Sequence, residues 1–322
     1  MNAPGQVRAL AERRSAARAA RDFAEADALR EAISKAGWIV HDTADGFTLE
    51  PLVSGPEPTL SASSVESVLL EPVTFDASVQ WVCEGWPEDI VRAITAFRAH
   101  ASGRTLQFVV ADVKGGDPAR FGEDVEVLSL EPDTGWAAAR NAGLRRSRGQ
   151  IVLAMDGSVE PSGDIIGPLL VALTDPTLGV TGPFGIVTRD LRQFDEAPEV
   201  GPCDAVEGYL MAFRRTTLVD VGGFDEKFRW YRTADIEWSF RVKDAGMRCE
   251  VIHLPVAKHE HRMWFETDPA ARAKWSKRNF YRFLDRFRDR WDLILSGEPE
   301  HQERDHEGDR DRDEPATLPE GR

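Results

Sequence analysis

Apolar positions change their spacing along the chain, and the changes mark out its parts. Between Arg8 and Lys35, Leu10, Ala17, Phe23 with Ala24, Leu29 and Ile33 fall near helical spacing in a stretch rich in Ala, Arg, Glu and Leu. This predicts a helical hairpin with a thin apolar stripe. The segment AGWIVHDTADGFTLEP then reads as two short apolar strands about an Asp45-Gly46 turn. Together these elements make a small unit, residues 1–52. Residues 53–75 mix Pro, Ser and Gly with two apolar patches and read as a linker that partly packs.

From Asp76 onward strands alternate with helices. Strands are expected at Ala77–Cys83, Thr105–Ala111, Val125–Leu130 and Ile151–Met155, with helices from Pro87 to His100 and from Thr134 to Arg146 between them. Such an order builds a mostly parallel sheet flanked by helices, so the fold class is α/β. Past Asp156 the alternation loosens. A helix near Asp164–Leu173, a strand near Tyr209–Phe213, a helix near Ala234–Ala245, a strand near Arg248–His253 and a long amphipathic helix near Ala270–Leu293 complete a domain spanning residues 76–296.

Composition narrows the classes. The 322 residues are 42% hydrophobic and 30% charged, which is globular and leaves room for one large core with appendages. No stretch approaches the roughly 20 apolar residues of a transmembrane helix, and MNAPGQVRALAERR lacks the apolar centre of a secretory signal, so a cytoplasmic location is expected. Cys83, Cys203 and Cys249 lie far apart, which excludes a disulfide framework and any CxxC metal site. With 40 basic against 55 acidic residues the net charge is -15, which disfavours wholesale capture of nucleic acid or anionic lipid. Part of that acidity lies in residues 297–322, ten acids against four arginines with one leucine, which read as a disordered acidic tail.

In an open parallel sheet ligands bind beyond the carboxyl ends of the strands. The residues there are Glu84, Asp112 and Asp156, an oxygen-rich rim suited to a metal-bound or hydrogen-bonded polar ligand. Acids after strands also cap turns, so the rim alone decides nothing.

The segment DTGWAAARNAGLRRSRGQIVLAMDGSVEP resembles the central signature of family 2 glycosyltransferases, a G-x-x-x-A-R-N-x-G helix leading into a strand that ends in a D-x-D turn. The resemblance continues in order through EGYLMAFRR, VGGFDEKF, ADIEWSFRVKDAG and LPVAKHEH, and it covers about residues 76–294. It implies a GT-A, Rossmann-like fold, a nucleotide-sugar donor, an unknown acceptor hydroxyl and an inverting, hexosyltransferase-type reaction. Under it, Glu84, Asp112, Arg140, Asn141 and Asp156 fall on the donor side, Asp156 is the first acid of D-x-D, and Asp235 takes the position of the general base. A divalent cation, Mn²⁺ or Mg²⁺, is implied at Asp156 to stabilise the diphosphate leaving group, with His261 as a second ligand and His259 as the alternative. If KHEH is extended, these two histidines share a face. Trp230, Tyr231 and Trp264 are candidates for the acceptor side.

Two positions depart from the pattern. The second acid of D-x-D is Ser158, and the acid before the base is Ala234. They keep a second reading open, a catalytically silent GT-A fold that binds a nucleotide-sugar or acts as a scaffold.

The N-terminal stretch LAERRSAARAARDFAEADALREAISKAGWIVHDTADGFTLEP resembles the C-terminal end of bacterial cysteinyl-tRNA synthetase over residues 10–52. No synthetase catalytic motif accompanies it, so it implies no aminoacylation. Residues 1–35 carry seven basic and five acidic side chains, too even a balance to compel RNA binding. A tRNA partner, or an RNA-associated module, is therefore the lesser expectation beside a reused packing module.

Overall fold

The computed structural model describes residues 3–20, 22–43, 46–51 and 59–297. Asp45 of the expected turn, residues 53–58 of the expected linker and residues 298–322 of the expected tail lie outside the described residues. Contacts divide the chain into two units, Met1–Glu57 and Pro58–Arg322.

The smaller unit holds helices α1 (Gly5–Ala19) and α2 (Phe23–Lys35) and the antiparallel strands β1 (Trp38–Thr43) and β2 (Gly46–Pro51). Asp22 caps α2 by accepting from the Glu25 amide. Val7, Ala11, Ile33, Trp38 and Val40 form the core. The expected stripe is thus corrected at one end: Phe23, the first residue of α2, is 63% exposed, while α1 turns Val7, Ala11 and Arg14 inward. Arg14 is nearly buried because its guanidinium makes a two-point bond with Asp42, at 2.7 and 3.1 Å.

In the larger unit the chain runs β3 (Phe75–Cys83), α3 (Pro87–Ala99), β4 (Leu106–Asp112), β5 (Val125–Ser129), α4 (Trp136–Arg145), β6 (Gly149–Met155), β7 (Val159–Pro161) and α5 (Ile166–Ala172). It continues through β8 (Leu178–Gly182), β9 (Gly185–Thr188), β10 (Phe194–Glu196), β11 (Gly201–Cys203), β12 (Ala205–Val206), β13 (Leu210–Arg214), α6 (Arg215–Val221) and α7 (Ala234–Asp244). Strands β14 (Arg248–Val251) and β15 (Val256–Lys258) and helices α8 (Arg262–Glu266) and α9 (Pro269–Phe287) follow. An eight-stranded sheet in the order β11-β14-β8-β13-β6-β3-β4-β5 forms the centre. β3, β4, β5 and β6 are mutually parallel, while β13 runs antiparallel between β6 and β8.

Strand alternation explains the two cores. Ile151, Leu153 and Met155 of β6 join Val79, Trp81 and helices α3 and α5 on one face. Val152 and Ala154 point to the other face, with Leu144 of α4, Leu218 of α6 and Trp238 of α7. The described part of 53–75 packs rather than spans: Ala62 and Val65 are buried against β4 and β5, and Leu60 bridges to Leu130. Helix α9 is held to α7 by Phe240, whose ring centroid lies 5.0 Å from Phe283 and 5.4 Å from Phe287.

Candidate functional site

Sheet register builds the site at one edge. Asp156 follows the last residue of β6. Because β13 is antiparallel to β6, with Leu210 opposite Met155, the residues that precede β13 arrive at the same edge. The Asp156 amide donates to the Tyr209 carbonyl at 3.0 Å, so Glu207, Gly208 and Tyr209 lie beside Asp156. The strand-end rule, framed for parallel strands, points only to residues after a strand and so misses these three.

A second pairing delivers the histidine. β15 pairs with β7 just after Asp156, with Lys258 opposite Val159, and the His259 amide donates to the Ser158 carbonyl at 2.7 Å. The strand ends there and His261 caps α8, so the alternation of an extended chain no longer applies. The expectation that the two histidines share a face is therefore corrected. His259 turns to Glu160, 2.9 Å away, whereas His261 Nε2 lies 3.1 Å from Asp156 Oδ2 and its Nδ1 lies 3.2 Å from Tyr231 Oη. Rings of Tyr209 and Tyr231 pack edge-on against the imidazole.

Ser158 occupies the place of the missing acid by bonding rather than by charge. Its backbone amide donates to Asp156 Oδ1 at 2.8 Å and its hydroxyl to the same oxygen at 2.5 Å. Burial pushes the Asp156 carboxyl up, but the His261 ring and the two Ser158 bonds outweigh it and hold the group well below the ordinary carboxylate range.

Asp235 stands in the first turn of α7. The residue immediately before that helix, Thr233, has φ 72°, a left-handed conformation that is costly for a branched side chain, and its buried hydroxyl has no partner among the described residues. Asp235 accepts from the Gly208 amide at 2.7 Å and from the Ile236 amide at 3.0 Å. Burial nevertheless raises its pKa above the ordinary value. Glu207 is pushed up to about 7, first by burial and then by the Asp235 charge.

Asp156, Glu207, Tyr209, Tyr231, Asp235, His261 and Trp264 all line one cavity, open to solvent. The guanidinium groups of Arg232 and Arg272 lie over the Trp264 ring, 4.6 and 4.4 Å from its centroid. Trp230 does not join it. It is 7% exposed and lines a larger neighbouring cleft with Glu84, Lys114, Gly135, Trp275 and Arg278. Burial lifts the Glu84 carboxyl to about 7.

Asp112, Arg140 and Asn141 line neither of these cavities. The Asp112 carboxylate is taken up by the Lys114 and Gly115 amides and by Arg120. Arg140 is 2% exposed and donates to the carbonyls of Gln80 (2.8 Å) and Met155 (2.9 Å), tying β3 to β6 directly before Asp156. Burial lowers its pKa to about 10, which leaves it charged at neutral pH. Asn141 clasps Phe224 from both sides, donating to its carbonyl at 2.8 Å and accepting from its amide at 2.7 Å. All three shape the loops around the cavities.

Among the described residues no group of three or more His, Cys, Asp or Glu side chains is placed to hold a metal ion. The carboxylate and imidazole of Asp156 and His261 do fit a divalent cation that takes its remaining ligands from a bound diphosphate, since Mg²⁺-type sites commonly use one or two carboxylates plus substrate phosphates.

Residues 104–237 match the family model described as Glycosyl transferase family 2. Pre-mycofactocin glycosyltransferase of Mycobacterium tuberculosis (strain CDC 1551 / Oshkosh) is 27% identical over 238 residues, 66% of this chain and 47% of that protein, so the chain spans about half the length of this relative. Cysteine–tRNA ligase of Opitutus terrae (strain DSM 11246 / JCM 15787 / PB90-1) is 58% identical over 48 residues, 15% of this chain and 10% of that protein. Among solved structures, GalNAc-T7 with UDP, GalNAc and Mn²⁺ superposes with a TM-score of 0.54 at 15% identity over 66% of this chain and 48% of its own, a likeness of fold. The larger unit has a GT-A α/β fold, and residues 104–237 within it are similar to family 2 glycosyltransferases.

Proposed function

We propose that the larger unit transfers a glycosyl group from a nucleotide-sugar donor to an acceptor hydroxyl with inversion at the sugar carbon. The observation that carries this is the convergence of Asp235 with the Asp156–His261 pair on one cavity, beside a second cleft that begins at the strand-end residue Glu84. The nucleotide takes the cleft, and the sugar and acceptor take the cavity.

Asp235 accepts the proton of the acceptor hydroxyl as its oxygen bonds to the sugar carbon from the face opposite the leaving group. The bond from that carbon to the diphosphate oxygen breaks, and its electron pair leaves with the diphosphate. Two amides fix the Asp235 carboxylate in place, and its raised pKa makes it a stronger base than an ordinary aspartate. Asp156 and His261 would hold a divalent cation, which when bound offsets negative charge on the leaving diphosphate. Tyr231 keeps the His261 ring turned to Asp156, and Trp264 lines the part of the cavity left to the acceptor.

Asp235→Asn keeps the size of the side chain and removes the proton acceptor. Release of nucleoside diphosphate from nucleotide-sugars, followed with and without Mn²⁺, should fall on the order of 10²- to 10⁴-fold, while affinity for the nucleoside diphosphate stays unchanged. Undiminished turnover in this variant would assign the base elsewhere. The silent-module reading draws on Ser158, whose hydroxyl bonds Asp156 where the family pattern has a second carboxylate. Nucleotide-sugar binding by the wild type without transfer or hydrolysis under any metal condition would decide for it.

A further inference from the structure

Helix α9 lies beyond residue 237, where the family segment ends, yet it supplies part of the wall of the larger cleft. Its cations divide sharply. Arg282 pairs with Asp225 at 2.7 Å and Arg286 with Glu237 at 3.0 Å, so these two lock the helix to the rest of the unit. Arg278, on the cleft, makes no ion pair and no side-chain hydrogen bond among the described residues. Lys227, which reaches the same cleft from the turn after Phe224, is likewise without either, and so is Lys114 from the end of β4. Three cations around one concavity that form neither an ion pair nor a side-chain hydrogen bond among the described residues favour an anionic occupant, even in a chain of net charge -15.

The cleft also offers neutral recognition. Trp230 Nε1 and Glu84 Oε2 are buried polar atoms with no partner, and both residues line it. A buried donor and a buried acceptor left unmatched are costly unless a ligand completes them. Trp275 of α9 packs at a tilt against Trp230, centroids 5.1 Å apart and planes at 43°, and extends an aromatic surface beside them. An anionic group together with a flat hydrogen-bonding group describes a nucleotide better than a free phosphate or a carboxylate.

We infer that α9 forms a wall of the donor site, and that Arg278 and Lys227 grip the diphosphate of a nucleoside-diphosphate sugar from the side opposite the strand ends. The inference rests on the donor reading above and adds residues that lie outside the family signature. It makes Arg278 and Lys227 binding residues for the phosphates, with no part in recognising the base.

The test is titration calorimetry of the full chain with UDP, GDP, UMP, uridine and guanosine, with and without Mn²⁺. Arg278→Ala and Lys227→Ala should each weaken the preferred nucleoside diphosphate about tenfold, as loss of a hydrogen bond to a charged group does, and should leave nucleoside affinity within about twofold. Arg278→Lys should recover part of the loss. Both positions are exposed, so the melting temperature should stay at the wild-type value and separate this effect from misfolding. Wild-type diphosphate affinity in both alanine variants would overturn the inference while leaving the donor reading intact. Failure of the wild type to bind any of these diphosphates would remove the donor reading itself, and the inference with it.

Discussion

Four carboxyls around the two cavities share burial as the leading influence and differ in what answers it. Asp156 has a histidine and two serine donors and stays ionised, whereas Asp235 has backbone amides and rises. Glu207 has no hydrogen-bond donor among the described residues and rises to about 7, as does Glu84. A carboxyl with its folded pKa raised keeps its proton where the unfolded chain, titrating near 4.5, has lost it. Folding then takes up a proton between pH 4.5 and about 7, so the contribution is fully present below that window and is lost as pH rises through it. Glu207→Gln fixes the neutral form. Its melting temperature should fall less than that of wild type from pH 4.5 to pH 7, with Glu84 retaining its own share of the slope. Parallel wild-type and variant curves would mean that Glu207 is solvated. The sequence singled out Asp156, Asp235 and His261, because each sits in a spaced motif. It passed over Glu207, since an acid before an antiparallel strand carries no mark of which sheet edge that strand will start from.

Helix α4 shows how one element sets the site from behind it. Its first amides are occupied by the chain itself: Trp136 donates to the Arg229 carbonyl at 3.2 Å and Ala137 to that of Phe228 at 3.1 Å. The helix start therefore fixes the loop that carries Lys227 and Arg229 instead of receiving an anion. Gly143 lets the helix lie directly on β3, since a Cβ there would run into the Gln80 side chain. The sequence placed α4 within two residues at its start and one at its end, and its motif identified Arg140 and Asn141. Their hydrogen bonds are internal, to partners 15 to 83 positions away that come into reach only once the sheet has formed. Asn141→Ala leaves the buried amide and carbonyl of Phe224 unmatched, at a cost of about 1–3 kcal/mol for each group. Urea denaturation should show a lower midpoint with an unchanged slope, and nucleoside diphosphate affinity should fall because the 224–229 turn loosens. A midpoint equal to that of wild type would mean that Phe224 is anchored without it.

At the scale of the whole molecule, two separate cores decide what each part of the chain needs. The four larger apolar clusters lie within residues 62–294, and the fifth, of Val7, Ala11, Ile33, Trp38 and Val40, lies within the smaller unit. Change of apolar spacing made this division legible, since helical periodicity before residue 36 gives way to strand and helix alternation after residue 75. Less legible was the stretch between them. Ala62, Val65 and Val68 are small apolar residues among serines, a pattern that fits a linker as well as it fits a chain laid over β4, β5 and α4. Arg145 settles the matter in the fold by donating to the carbonyls of Ala62 and Val65. Accordingly, a fragment spanning residues 58–297 should unfold in one cooperative step and bind nucleoside diphosphate with the affinity of the full chain, since every residue of both cavities lies inside it. A fragment of residues 1–57 should be marginal, as domains with so small a core usually are. Calorimetry of the full chain should then resolve a weak transition and a strong one, the strong one coinciding with that of the 58–297 fragment. Loss of cooperativity in the 58–297 fragment, or a single transition in the full chain that neither fragment reproduces, would mean that the two units fold as one body.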